Sequence, residues 1–132
     1  MKTSKYLTTI CLILGTMLPL IVDTGHTHLL NPDWDAHSRV HEVWRLSTNI
    51  LIAGIGLYLL WGSNYLLLPA LLSSCIVLGF FSSIFTMSLY GGVPIGEGIE
   101  EPNPFGIPAN IFVFIIIGII QSVSFIFLFK NR

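Results

Sequence analysis

The chain has 132 residues, of which 53% are hydrophobic and only 10% charged, with a formal net charge of −1 and a mean hydropathy of +0.79. Soluble domains of this size carry about 25% charged residues. That shortage, without any basic excess, excludes a soluble globular protein, a disordered tail and a nucleic-acid binder.

Asp, Glu, Lys and Arg are missing from residues 6–22, 47–96 and 102–129. A helix needs about 20 apolar residues to cross roughly 30 Å of hydrocarbon. Spans are therefore predicted over 6–22, 43–61, 65–89 and 108–129. The expected fold is all-α: one polytopic domain, a four-transmembrane-helix bundle in the lipid bilayer. Lys2 and Lys5 give the first span a basic start. Its end, Leu18-Pro19-Leu20-Ile21-Val22-Asp23, has no small-x-small cleavage site, so it is read as a retained span rather than a signal peptide.

The stretch from Asp23 to Arg45 follows, and it holds all four histidines and six of the thirteen charged residues. Asn31-Pro32 reads as a helix cap with proline in the first turn, and Asp33 and Asp35 suit the positive end of the helix dipole. A helix is predicted from Pro32 unbroken into the second span. At 100° per residue, Asp33, Trp34, His37, His41, Trp44, Arg45 and Thr48 share one arc of about 120°. Asp35, Arg39 and Glu42 fall opposite, spaced to pair with one another as a solvated back face.

Three chemistries fit that front arc. His-x-x-x-His on a helix aims the ring nitrogens of His37 and His41 at one point, as zinc or non-haem iron sites require. His28, preferred over His26, would be the third ligand, and Asp33 and one of Glu97, Glu100 and Glu101 would complete the shell. Alternatively His37, His41 and Asp33 form a metal-free acid–base site, with Trp34, Trp44 and Arg45 holding a lipophilic substrate that enters between helices. In the third reading the tryptophans anchor an interfacial helix, and the histidines bond to headgroups or to the Glu-rich loop.

Further along, Gly54 and Gly56, Gly79 with Ser83, and Gly118 with Ser122 are small residues that let helices approach. Asn49 and Gln121 are expected to hydrogen-bond between helices. Gly62-Ser63-Asn64 reads as a tight turn of an antiparallel hairpin, ringed by the interfacial aromatics Tyr58, Trp61 and Tyr65. Residues 90–108 hold five Gly and four Pro, too many breakers for a helix. Cys11 and Cys75 lie in apolar segments and read as packing residues. Lys2, Lys5, Lys130 and Arg132 flank the bundle at the termini, against Arg39 and Arg45 in the first connection. Four against two predicts cytoplasmic termini.

The pattern Thr27-His28-Leu29, Asn31-Pro32-x-Trp34-x-x-His37-x-x-x-His41 resembles a group of small bacterial and fungal four-span membrane proteins of unknown function. The resemblance covers about 20 residues and the hydropathy plan, and it implies that the motif is one unit. More loosely, the chain is similar to the emopamil-binding-protein-like superfamily, which uses polar residues in a lipophilic pocket for sterol isomerisation or ligand binding. Membrane-bound terpene cyclases look similar at the same level. Acids embedded in the spans are absent here, so no catalytic residue carries over from either. The expected function is an extracytoplasmic His/Asp/Trp site that binds or transforms a lipophilic small molecule. The alternatives are an accessory subunit of a larger membrane complex, or a metal-binding membrane protein.

Overall fold

The first charge-free stretch forms α1, Lys2–Asp23, in the computed structural model, which describes residues 2–96, 100 and 102–130. Pro19 lies inside α1, where its missing N–H omits one turn bond, and it is buried. At the end of the helix the Thr24 hydroxyl donates to the Leu20 carbonyl at 2.7 Å. The other elements are α2 (Ala36–Trp61), α3 (Leu67–Thr86), which continues into a 3₁₀ turn at Met87–Leu89, a second 3₁₀ turn at Pro104–Gly106, and α4 (Ala109–Lys130). All four helices are long and apolar enough to cross a membrane. The chain is an all-α, multi-pass four-helix bundle.

The helices run up and down. Ser4 of α1 meets Ser124 of α4, and Lys5 donates to Asn64 in the α2–α3 turn, so these segments share one end. Asp23, the start of α2 and residues 90–96 and 102–108 share the other. The turn closes because Asn64 takes φ 55°, while Gly62 N–H bonds to Tyr58 O at 2.7 Å and Tyr65 N–H to Leu59 O at 3.0 Å. Trp61 is anchored across the bundle: its indole N–H donates to Thr9 Oγ1, and Lys5 Nζ lies 4.3 Å over its ring.

In lipid, helices associate through close packing and interhelical hydrogen bonds rather than hydrophobic exclusion from water. Both are present. Leu12, Ala53, Leu60, Ile76 and Phe114 form the main core, with Phe80 and Phe114 stacked at 4.0 Å. A Cβ at Gly56 would fall 2.8 Å from Cδ1 of the fully buried Leu12, so a larger residue there would force that side chain to shift. Gly54 and Gly79, expected at helix contacts, instead face open space. The reason is register: Gly56 points at α1, and Gly54, two residues earlier, points away. The Ser4 and Thr8 hydroxyls each bond to that of Ser124, at 3.0 and 2.8 Å, and Gln121 donates to Ala70 O at 3.3 Å between α4 and α3. Among the described residues, Asn49 bridges only through its backbone carbonyl, which accepts from Thr16 at 3.5 Å.

The described part of the 90–108 connection is tied by Asn110 Nδ2, which donates to Pro94 O at 2.8 Å, and by Tyr90, whose hydroxyl donates to Ser83 O at 2.6 Å. Of its three glutamates, Glu100 is exposed, while Glu97 and Glu101 lie outside the described residues.

Candidate functional site: a polar cluster at the mouth of an apolar cavity

Helix α2 starts at Ala36, not at Pro32. Asp35 is the cap, its carboxylate accepting from Ser38 N–H at 3.0 Å. Asn31 makes a different local bond: its side-chain oxygen accepts from Asp33 N–H at 3.0 Å and turns the chain before the helix begins. Asp33 and Trp34 therefore precede the helix, and the projection that placed them on its front arc does not hold for them. From Ala36 onward the helix is continuous into the span, as expected.

The approach to α2 is a folded loop. Leu29 N–H bonds to Asp23 O at 3.0 Å, Leu30 N–H to Gly25 O at 3.1 Å, and Trp34 N–H to Asn31 O at 3.2 Å. Arg39 holds it from the helix side, with Nη2 donating to the carbonyls of Asn31, Pro32 and Trp34 at 2.8, 3.2 and 3.3 Å. This overturns the self-paired back face: Asp35 caps, Arg39 clamps the loop, and Glu42 bonds to Arg45.

Two separate groups emerge from the front arc. His37 and His41 meet with Nε2 atoms 3.0 Å apart, and His41 stacks on Trp44 at 6.0 Å between ring centroids. All three are exposed. Arg45 turns the other way, where its guanidinium bonds to Asp23 from α1 and to Glu42. His28 faces this second group, its Nδ1 4.0 Å from Asp23 Oδ1, and its ring meets Trp34 edge-on at 5.6 Å. Among the described residues, no group of three or more His, Cys, Asp or Glu is placed to hold a metal ion, so His28 does not complete a His37–His41 shell.

Behind Arg45 lies a cavity of about 660 Å³ between the helices. Leu18, Val22, Ile76, Phe80, Val113 and Phe114 line it with hydrocarbon, and Gly79 leaves room on α3. Asp23, His28, Arg45 and Asn49 supply polar groups, with Asn110 on the α4 side. A more open groove of about 950 Å³ lies outside, lined by Asp33, Asp35, His41, Glu42 and 90–92, and it shares Arg45 with the cavity.

The helical projection gives Asp23 no role and places Glu42 on the back face, yet both bind Arg45. A usable signal was present. Asp23 ends the first span and Arg45 opens the second, so an antiparallel pair of helices brings opposite charges to the same depth. No protein-family model, curated protein or solved structure matches the chain.

Proposed function

We propose that the protein binds a lipophilic small molecule in the cavity between its helices, with the molecule's polar end at Asp23, His28 and Arg45. One observation carries the reading: an apolar-walled space of about 660 Å³ ends in a small set of polar side chains. That is the usual make-up of a small-molecule pocket, in which the walls supply affinity and few polar groups set orientation. Arg45 already bonds to two carboxylates, so a neutral hydrogen-bonding head suits this end better than an anionic one. His37 and His41 stand outside the cavity lining, and the reading assigns binding rather than chemistry.

The excess of Lys and Arg in the terminal segments assigns both termini to the cytoplasm and the polar cluster to the opposite side of the membrane. In a background with Cys11 and Cys75 replaced by Ser, Asp33→Cys should react with an impermeant thiol reagent in intact cells and Ser63→Cys should not. The reverse pattern would invert the topology.

The binding test is native mass spectrometry of detergent-purified protein beside Gly79→Trp, which fills open space in the cavity wall. Wild-type protein should carry a lipophile that the variant has lost at equal helicity. Equal retention, or a chain recovered only within a larger assembly and free of lipophile, would overturn the reading in favour of an accessory subunit.

A further inference from the structure

His37 and His41 lie one helical turn apart on α2, both exposed, with ring planes at 89° and Nε2 atoms 3.0 Å apart. At that distance one ring donates its N–H to the lone pair of the other. Both side chains stand on regular helix beyond the Asp35 cap, so backbone hydrogen bonds fix the spacing of their Cβ atoms. Neither lines the apolar cavity, and neither joins the Arg45 cluster.

Two imidazoles converging in this way have the bite of a chelate. With metal–nitrogen bonds of about 2.0–2.1 Å, two ligand nitrogens lie about 2.9 Å apart at a right angle and about 3.3 Å apart at a tetrahedral angle. The observed 3.0 Å falls between these values. Rotation of two exposed rings is then enough to turn both lone pairs onto one centre. We propose that His37 and His41 form a two-ligand, solvent-open site for an imidazole-preferring divalent transition-metal ion such as copper(II) or zinc.

The chemistry of the donors selects the class of ion. Neutral imidazole suits copper, nickel and zinc, whereas calcium and magnesium require shells of oxygen. On binding, the donating ring gives up its Nε2 proton, to Nδ1 or to water, so that both Nε2 atoms present lone pairs to the ion. Among the described residues no third His, Cys, Asp or Glu completes a shell, so water occupies the remaining positions and the ion exchanges freely. His41 also borders the outer groove, where Asp33, Asp35 and Glu42 outnumber the one cation, Arg45, and so favour a positive ion.

The test is a copper(II) titration of the full chain in detergent, read by electron paramagnetic resonance and by Trp44 emission in a Trp34→Phe, Trp61→Phe background. Trp44 stacks on His41, so a bound ion should quench it. One ion per chain with a two-nitrogen spectrum is expected. His37→Ala and His41→Ala should each weaken binding about 10²-fold, because the second ligand acts at high effective concentration. His26→Ala, another exposed histidine, should change nothing. Binding that survives either His37→Ala or His41→Ala, or that falls equally with His26→Ala, would overturn the proposal. Helicity measured on every variant separates ligand loss from unfolding.

Discussion

Arg45 on α2 and Asp23 at the end of α1 bond through Nη2 and Oδ2 although 22 residues separate them. Together with Glu42 they fasten the first two helices at one end of the bundle. The Arg45 side chain is 44% exposed, so solvent screens much of the attraction. Asp23→Asn should therefore cost only about 1 kcal/mol. A double-mutant cycle on Asp23 and Arg45, read by thermal unfolding in detergent, should give a coupling of about 0.5–1 kcal/mol. Strictly additive effects would show that the two helices do not depend on the pair.

Two glycines on one helix should respond in opposite ways. Gly56→Ala places a Cβ 2.8 Å from the fully buried Leu12 side chain and should destabilise by about 1–3 kcal/mol. Gly54→Ala meets open space and should be neutral or stabilising by up to about 1 kcal/mol, through helix propensity alone. Parallel melting curves decide the matter. Equal shifts would mean that α1 and α2 do not approach as closely as described.

Arg39 has a structural task that charge pairing does not capture. Arg39→Ala removes the donors to three loop carbonyls and should cost about 1–3 kcal/mol, concentrated in residues 24–35. Hydrogen exchange should rise in that loop while α3 and α4 keep their protection. Exchange unchanged at Asn31–Trp34 would show that the loop holds itself through its own turns.

The two cysteines differ in access. Cys75 is exposed and borders the cavity, whereas Cys11 is buried between helices. A lipophilic maleimide should label Cys75 first, and Gly79→Trp should slow that labelling. Faster reaction at Cys11 would contradict the packing of α1 against α4.

The spans were legible because each is a long run without charge, and lipid permits few folds for such runs. The 62–64 turn was legible for a related reason, since three polar residues between apolar runs leave room only for a hairpin. The start of α2 was not. Asn31-Pro32 and Asp35 are both acceptable caps by residue type, and the choice fell to Asp35 because Asn31 spends its side chain on Asp33 N–H. Four residues of error moved Asp33 and Trp34 off the helix. Within the helix the His37–His41 meeting followed from spacing alone, whereas the Arg45–Asp23 bond depends on how two helices lie together. The cavity was illegible for the same reason: Leu18, Phe80 and Phe114 become one wall only after three helices have packed.

Arg45 borders both the cavity and the outer groove, so one side chain is common to an oily compartment and a wet one. Moving it aside breaks its bonds to Asp23 and Glu42 together and leaves two carboxylates facing each other without a counter-charge. A path between the compartments that ran past Arg45 would have to break this ion triplet. Dissolved salt, by competing for that triplet, would hasten wetting of the cavity from the groove while leaving sideways exchange with the lipid untouched.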